Sequence, residues 1–90
     1  LAVQKYMKGD YITPHCDNYD WLYLMMLSNS EKDGLILENK EEDRLLFHKD
    51  EYEKVIEIKR DHMHWVNPVF SEVRYSAVLL CNLNHCSNIK

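Results

Sequence analysis

Two segments of this chain carry side chains of the kind that bind a metal. The first, TPHCDN (13–18), sets His15 and Asp17 two positions apart. On an extended strand residues i and i+2 share a face. The imidazole and the carboxylate would then project together, and Cys16 would face the other way, into the interior. A neutral nitrogen and a hard oxygen make two-thirds of a facial metal site. Its full form is two histidines and one carboxylate, with positions left open for substrate and oxygen. Alone, H-x-D is more often an exposed polar turn, here beside Pro14, so a third ligand has to come from downstream. The second segment, DHMHWVNPV (61–69), offers His62 and His64 on one strand face. His48 and His85 complete the five histidines.

These residues have to be positioned by a small framework. The chain has 90 residues, 46% of them hydrophobic, which is enough for one domain spanning 1–90 and too little for two. A core of this size is marginal without a metal, a partner or further sequence. The opening LAVQKY lacks an initiator Met, so the chain reads as a fragment. Fifteen Asp and Glu outweigh eleven Lys and Arg, for a formal charge of −4. No basic stripe appears, which argues against nucleic-acid binding. No apolar run approaches the roughly 20 residues that span a membrane. Cys16, Cys81 and Cys86 form an odd set without framework spacing, so unpaired thiols in a reducing cytoplasm are expected. CNLNHC (81–86) has the look of a metal knuckle with His85, but no second Cys/His pair completes four ligands.

The chain breaks into short strands. Gly9-Asp10 reads as a turn before β-rich Tyr11-Ile12-Thr13. WLYLMMLS (21–28) and GLILEN (34–39) are apolar runs of strand length, separated by polar turn residues. The charged stretch 40–62 is ambiguous. Its i,i+4 charges would suit a helix over 41–53, yet DRLLFH and KVIEIK read better as two strands joined by an acidic loop. HWVNPV and RYSAVLLCNL (74–83) follow, with core strands ending at 83 and a tail over 84–90. Many short strands with turns between them predict an all-β antiparallel sandwich or barrel of the jelly-roll kind.

Arg74 opens the last strong strand ten residues beyond His64, and Ser76 shares its face. Taken in order, YMKGDYITPHCD, then DGLILEN, then HWVNPVFSEVR resemble the catalytic core of the 2-oxoglutarate- and Fe(II)-dependent dioxygenase superfamily. Within it they resemble the prolyl-4-hydroxylase-like group. The resemblance runs over roughly residues 6–83, and it rests on H-x-D, an H-x-V-x-P segment and a following basic residue together.

The resemblance implies a double-stranded β-helix of the jelly-roll or cupin-like kind, here without the family's N-terminal helices and flanking strand. By position it implies Fe(II) on His15, Asp17 and His64, with His62 at the rim. Arg74 would anchor the distal carboxylate of 2-oxoglutarate through its planar fork. Tyr6 matches the family tyrosine that reaches the co-substrate. Ser76 would add a hydroxyl, and Tyr23 and Tyr11 depend on strand register. The implied reaction consumes O₂ and 2-oxoglutarate, releases succinate and CO₂, and hydroxylates a C–H bond of an unidentified prime substrate, peptidyl or small. Ascorbate belongs to the same expectation. A carboxylate at position 17 fits oxygen insertion, since related halogenating members carry a small residue there. Two rivals stand beside this reading. An AlkB-like nucleic-acid dealkylase would carry a second arginine where Leu80 stands. A non-catalytic jelly-roll module would bind metal and do no chemistry. For Arg74 the plainer alternative is an ion pair at the surface, with Glu72 or another acid. Trp21 and Trp65 read as packing residues.

Overall fold

The computed structural model describes residues 2–82 and the strand formed by 85–87. Among them there is no helix, and the strands run β1 (Ala2–Met7), β2 (Ile12–His15), β3 (Trp21–Met26), β4 (Gly34–Asn39), β5 (Arg44–Lys49), β6 (Val55–Lys59), β7 (His64–Val66), β8 (Val73–Asn82) and β9 (His85–Ser87). They pair antiparallel in two sheets, one ordered β1-β8-β3-β6 and the other β2-β7-β4-β5. Most successive strands thus cross from one sheet to the other, which is the jelly-roll arrangement.

Period-two alternation decides which side chains meet between the sheets. In β3, Leu24 and Met26 are buried, and in β6, Ile56 and Ile58 are buried between exposed Val55, Glu57 and Lys59. In β8 the inward row is Arg74, Ser76, Val78 and Leu80, so one strand carries both polar and apolar parts of the interior. Leu35 and Val66 close the core from the second sheet.

The start of β4 is tied down on two sides. Gly34 pairs with Lys49 across β4 and β5. A Cβ there would collide with the His48 carbonyl oxygen and lie 2.8 Å from Lys49 Cα, so no larger residue fits this crossing. Asp33, just before it, is buried and accepts from Phe70 N (2.7 Å), Ser71 N (3.1 Å) and Ser71 Oγ (2.6 Å). It therefore fastens the β7–β8 loop to the start of β4.

The favoured reading of the charged stretch holds: 41–53 carries β5 and an acidic loop rather than a helix, with Leu46 and His48 half-buried on a strand period. Other expectations change. A strand over Ala2–Met7 adds to those expected, and it pairs with β8 over its whole length. The expected tail contains β9, which pairs with the end of β8; positions 83, 84 and 88–90 of that region lie outside the described residues. Cys16 does not enter the sandwich, because β2 ends at His15 and the chain then leaves strand geometry; Cys16 is exposed and unpaired. Cys81 is disulfide-bonded, and Cys86 stands opposite it in the β8–β9 register. A bonded Cys81 removes the fully reduced set on which the cytoplasmic expectation rests. The knuckle that included His85 falls on side chains outside the described residues. Among the described residues, no helix is long and apolar enough to cross a membrane.

Candidate metal centre

β2 and β7 are neighbours, and their register sets His15 directly opposite His64. The ladder slips between Ile12 and His15, and this irregularity turns the His15 ring inward at the end of the strand. Asp17 lies beyond the strand, so it joins His15 through that irregular exit and not through simple alternation. Cys16, on the same exit, is carried outward.

The rings sit 4.4 Å apart between centroids. His64 Nε2 lies 3.0 Å from Asp17 Oδ2, and His15 Nε2 lies 3.4 Å from Asp17 Oδ1. One ligand atom from each of the three residues falls within 4.8 Å of the others, and no other such group of three exists among the described residues. Ligands about 2.1 Å from a first-row metal and at right angles to each other lie about 3.0 Å apart. The observed spacing fits that shape.

The hydrogen bonds fix the chemistry of both rings. His15 Nδ1 lies 2.8 Å from the Thr13 carbonyl, and His64 Nδ1 lies 3.1 Å from the His62 carbonyl. A carbonyl can only accept, so each Nδ1 carries the proton. Each Nε2 then presents a lone pair to the Asp17 carboxylate, which also has only lone pairs to offer. In this neutral form Asp17 Oδ2 is buried with no donor. A second proton on His64 would supply one. The Asp17 bond, working against burial, accordingly holds the His64 imidazole above its ordinary value, and the His64 bond holds the Asp17 carboxyl below its own. A divalent cation satisfies all three groups without that proton. The residues present fit a metal.

The centre opens into a cavity of about 240 Å³ between the sheets, otherwise walled mainly by core apolar residues. Arg74, Ser76 and Tyr6 line the same cavity. Tyr6 and Arg74 are partners in the β1–β8 register, and the guanidinium carbon sits 5.1 Å from the Tyr6 ring centre. Burial pushes the Tyr6 phenol up, against the pull of Arg74, so it keeps its proton at neutral pH. Ser76 is fully buried, and its Oγ has no partner. Arg74 is itself only 1% exposed.

The sequence expectations divide here. His15, Asp17, His64, Arg74, Ser76 and Tyr6 come together at one cavity. Tyr23 does not: it lies on the outer face of β3, where its hydroxyl donates to Glu57 Oε2 at 3.1 Å. The register of β3 instead turns Leu22 and Leu24 inward. Tyr11 is exposed as well. His62 keeps its ring away from the cavity, 3.8 Å from Asp61 Oδ1, and contributes only its carbonyl. Trp65 borders the cavity, its Nε1 donating to Asn67 Oδ1 at 3.2 Å. Neither surface alternative for Arg74 holds. Its partner is the buried Asp50, which accepts from Nε at 2.7 Å and from Nη2 at 3.1 Å. No local pattern singles out Asp50 in KDEYEK, where it is one acid among several.

No family model matches the chain, and no curated protein does. Solved structures do match. One is described as an oxidoreductase of the 2OG-Fe(II) oxygenase family from Burkholderia pseudomallei. It superposes with a TM-score of 0.73 at 20% identity, over 84% of this chain and 38% of that one. This chain therefore has the fold of that oxygenase, and it spans well under half of its length.

Proposed function

We propose that this chain is the catalytic core of a 2-oxoglutarate- and Fe(II)-dependent dioxygenase that hydroxylates a C–H bond. The observation that carries the reading is the meeting of two tautomer-fixed Nε2 atoms with a donor-less Asp17 oxygen, in a cavity that also holds a buried arginine. The fold shared with the oxygenase is consistent with it.

His15, Asp17 and His64 would hold Fe(II) on one face, leaving three positions open. Arg74 would bond the distal carboxylate of 2-oxoglutarate, which neutral donors alone would hold less tightly. Ser76 Oγ would donate to the same carboxylate, ending its isolation as a buried hydroxyl. Tyr6, protonated and packed on the guanidinium, would close the cavity wall at that end. Leu24 and Val78 make the lining between anchor and ligands apolar, which would disfavour water there. When bound, the iron and the keto acid supply oxygen activation and oxidative C–H chemistry, with release of succinate and CO₂. The motif order favours the prolyl-4-hydroxylase-like group, with a peptidyl or small prime substrate and ascorbate as an accessory reductant. The cytoplasm does not enter the proposal, because a disulfide at Cys81 fits an oxidising compartment better.

One observation favours a second reading. Arg74 already has a carboxylate partner, so a non-catalytic module that binds metal alone would leave it content with Asp50. A nucleic-acid dealkylase is disfavoured, since Leu80 is a buried core residue where a second arginine would stand. Isothermal titration of 2-oxoglutarate into Mn(II)-loaded and metal-free protein separates the two main readings. The dioxygenase reading expects binding that requires the metal. Equal heats in both samples, or none, would overturn it.

A further inference from the structure

We propose that Asp50 is a positioning residue, locking the Arg74 guanidinium from behind so that its cavity edge stands at one fixed distance from the metal ligands. The inference rests on the proposed function, because a fixed anchor matters only if Arg74 receives a carboxylate.

Asp50 is the immobile member of the pair. Its N–H donates to the Asp33 carbonyl at 2.9 Å, and its own carbonyl accepts from Ser30 N at 3.0 Å. Asp33 is in turn fastened to Phe70 and Ser71. Arg74 is the opposite: a long side chain with many rotamers, reaching across the interior from β8. Asp50 removes that freedom. Its two oxygens take Nε–H and one Nη2–H, a planar fork that fixes both the position and the tilt of the guanidinium. The Tyr6 ring covers one face of it. Asp50 does not line the cavity, whereas Arg74 does. The lock is therefore on the far side; the second Nη2 hydrogen points to Met26 Sδ at 3.7 Å, and the Nη1 hydrogens are those left for a ligand.

A fixed anchor opposite a fixed metal centre makes a ruler. A diacid that grips the metal with one end and Arg74 with the other must have the matching length. A plain counter-charge for a buried arginine would need no such geometry. The distinction can be tested with the charge held constant. Asp50→Glu keeps both charges and adds one methylene, which pushes the guanidinium toward the metal.

The experiment is isothermal titration of the four-, five- and six-carbon 2-oxo diacids into Mn(II)-loaded protein. Wild type should prefer one length by at least about tenfold, since each such step is about 1.4 kcal/mol of misfit. In Asp50→Glu, affinity for that length should fall about tenfold, and the preference should move toward the shorter diacid. Manganese affinity, measured separately, should not change. If Asp50→Glu does not fold, Asp50→Asn decides: it keeps the side-chain length and one acceptor oxygen but breaks the fork, so the length preference should fall by about tenfold, and an unchanged preference overturns the inference. A flat preference overturns the inference, and so does an Asp50→Glu protein with the wild-type affinity and ratio. Failure of the dioxygenase reading looks different, because wild type would then bind none of the diacids in a metal-dependent way.

Discussion

Two backbone carbonyls set what His15 and His64 can do, because each accepts a hydrogen bond from Nδ1–H and leaves Nε2 bare toward Asp17. Metal affinity should therefore depend on the His62 carbonyl and not on its ring. His62→Ala should bind Mn(II) within about twofold of wild type. His64→Ala should lose more than the 10–100-fold typical of an outer-shell change, roughly. Equilibrium dialysis measures both, and the reverse order would mean that His62 is the ligand. At this scale the sequence is informative where a motif names residue types: H-x-D, a later histidine and a basic residue beyond it. It is silent on Asp50, because a partner 24 residues from Arg74 is chosen by the fold and not by neighbours in the chain. Tyr23 goes astray for a related reason. A continuous apolar run has no polar face to mark which side is inward, and a one-residue slip reverses every side chain.

Two strand-and-loop junctions hold the anchor end of the cavity. Gly34 lets β4 pass close against β5 at Lys49, one residue before Asp50. Gly34→Ala would force backbone apart there, and overpacking of this kind costs about 1–3 kcal/mol. Urea denaturation should show that loss; an unchanged midpoint would mean that the crossing is loose enough to take a methyl group. Asp33 makes the second junction. Burial pushes its carboxyl up, but the Phe70, Ser71 and Ser30 bonds outweigh this and leave it below the ordinary 3.8. Its contribution is thus present above the ordinary carboxyl value and is lost as pH falls through the lower folded value. Asp33→Asn should cost about 2 kcal/mol at neutral pH. The gap from wild type should shrink below pH 3.8. A gap that stays constant with pH would contradict a role that depends on the charge. β6, with its clean alternation, and β8, a long β-rich apolar run, are readable from the chain. The irregular exit of β2 is not, because it comes from pairing with β7. β1 escapes notice because Ala2–Met7 mixes Gln4 and Lys5 with its apolar residues.

The whole molecule brings residues 6, 15, 17, 64, 74 and 76 to one cavity by crossing strands between two sheets. That convergence is legible in the sequence only through resemblance, since no local pattern closes a sandwich. It also makes the arginine costly to remove. Arg74→Ala would leave Asp50 buried and unpaired, at about 3–5 kcal/mol of stability, a large share of what a small domain has. Arg74→Lys keeps the charge and loses the fork. It should stay folded by circular dichroism and retain Mn(II) affinity while weakening 2-oxoglutarate binding by at least about tenfold. Unchanged 2-oxoglutarate affinity would take the anchor role from Arg74. The central claim is that His15, Asp17 and His64 hold an iron that 2-oxoglutarate then chelates, and one anaerobic titration tests it most directly. Fe(II) and 2-oxoglutarate are added to the protein without oxygen, and the visible spectrum is recorded for wild type and His64→Ala. The account predicts a weak charge-transfer band in wild type that needs both additions and is absent from the variant. A wild-type protein that binds Fe(II) but never develops the band, or an equal band in His64→Ala, would contradict it.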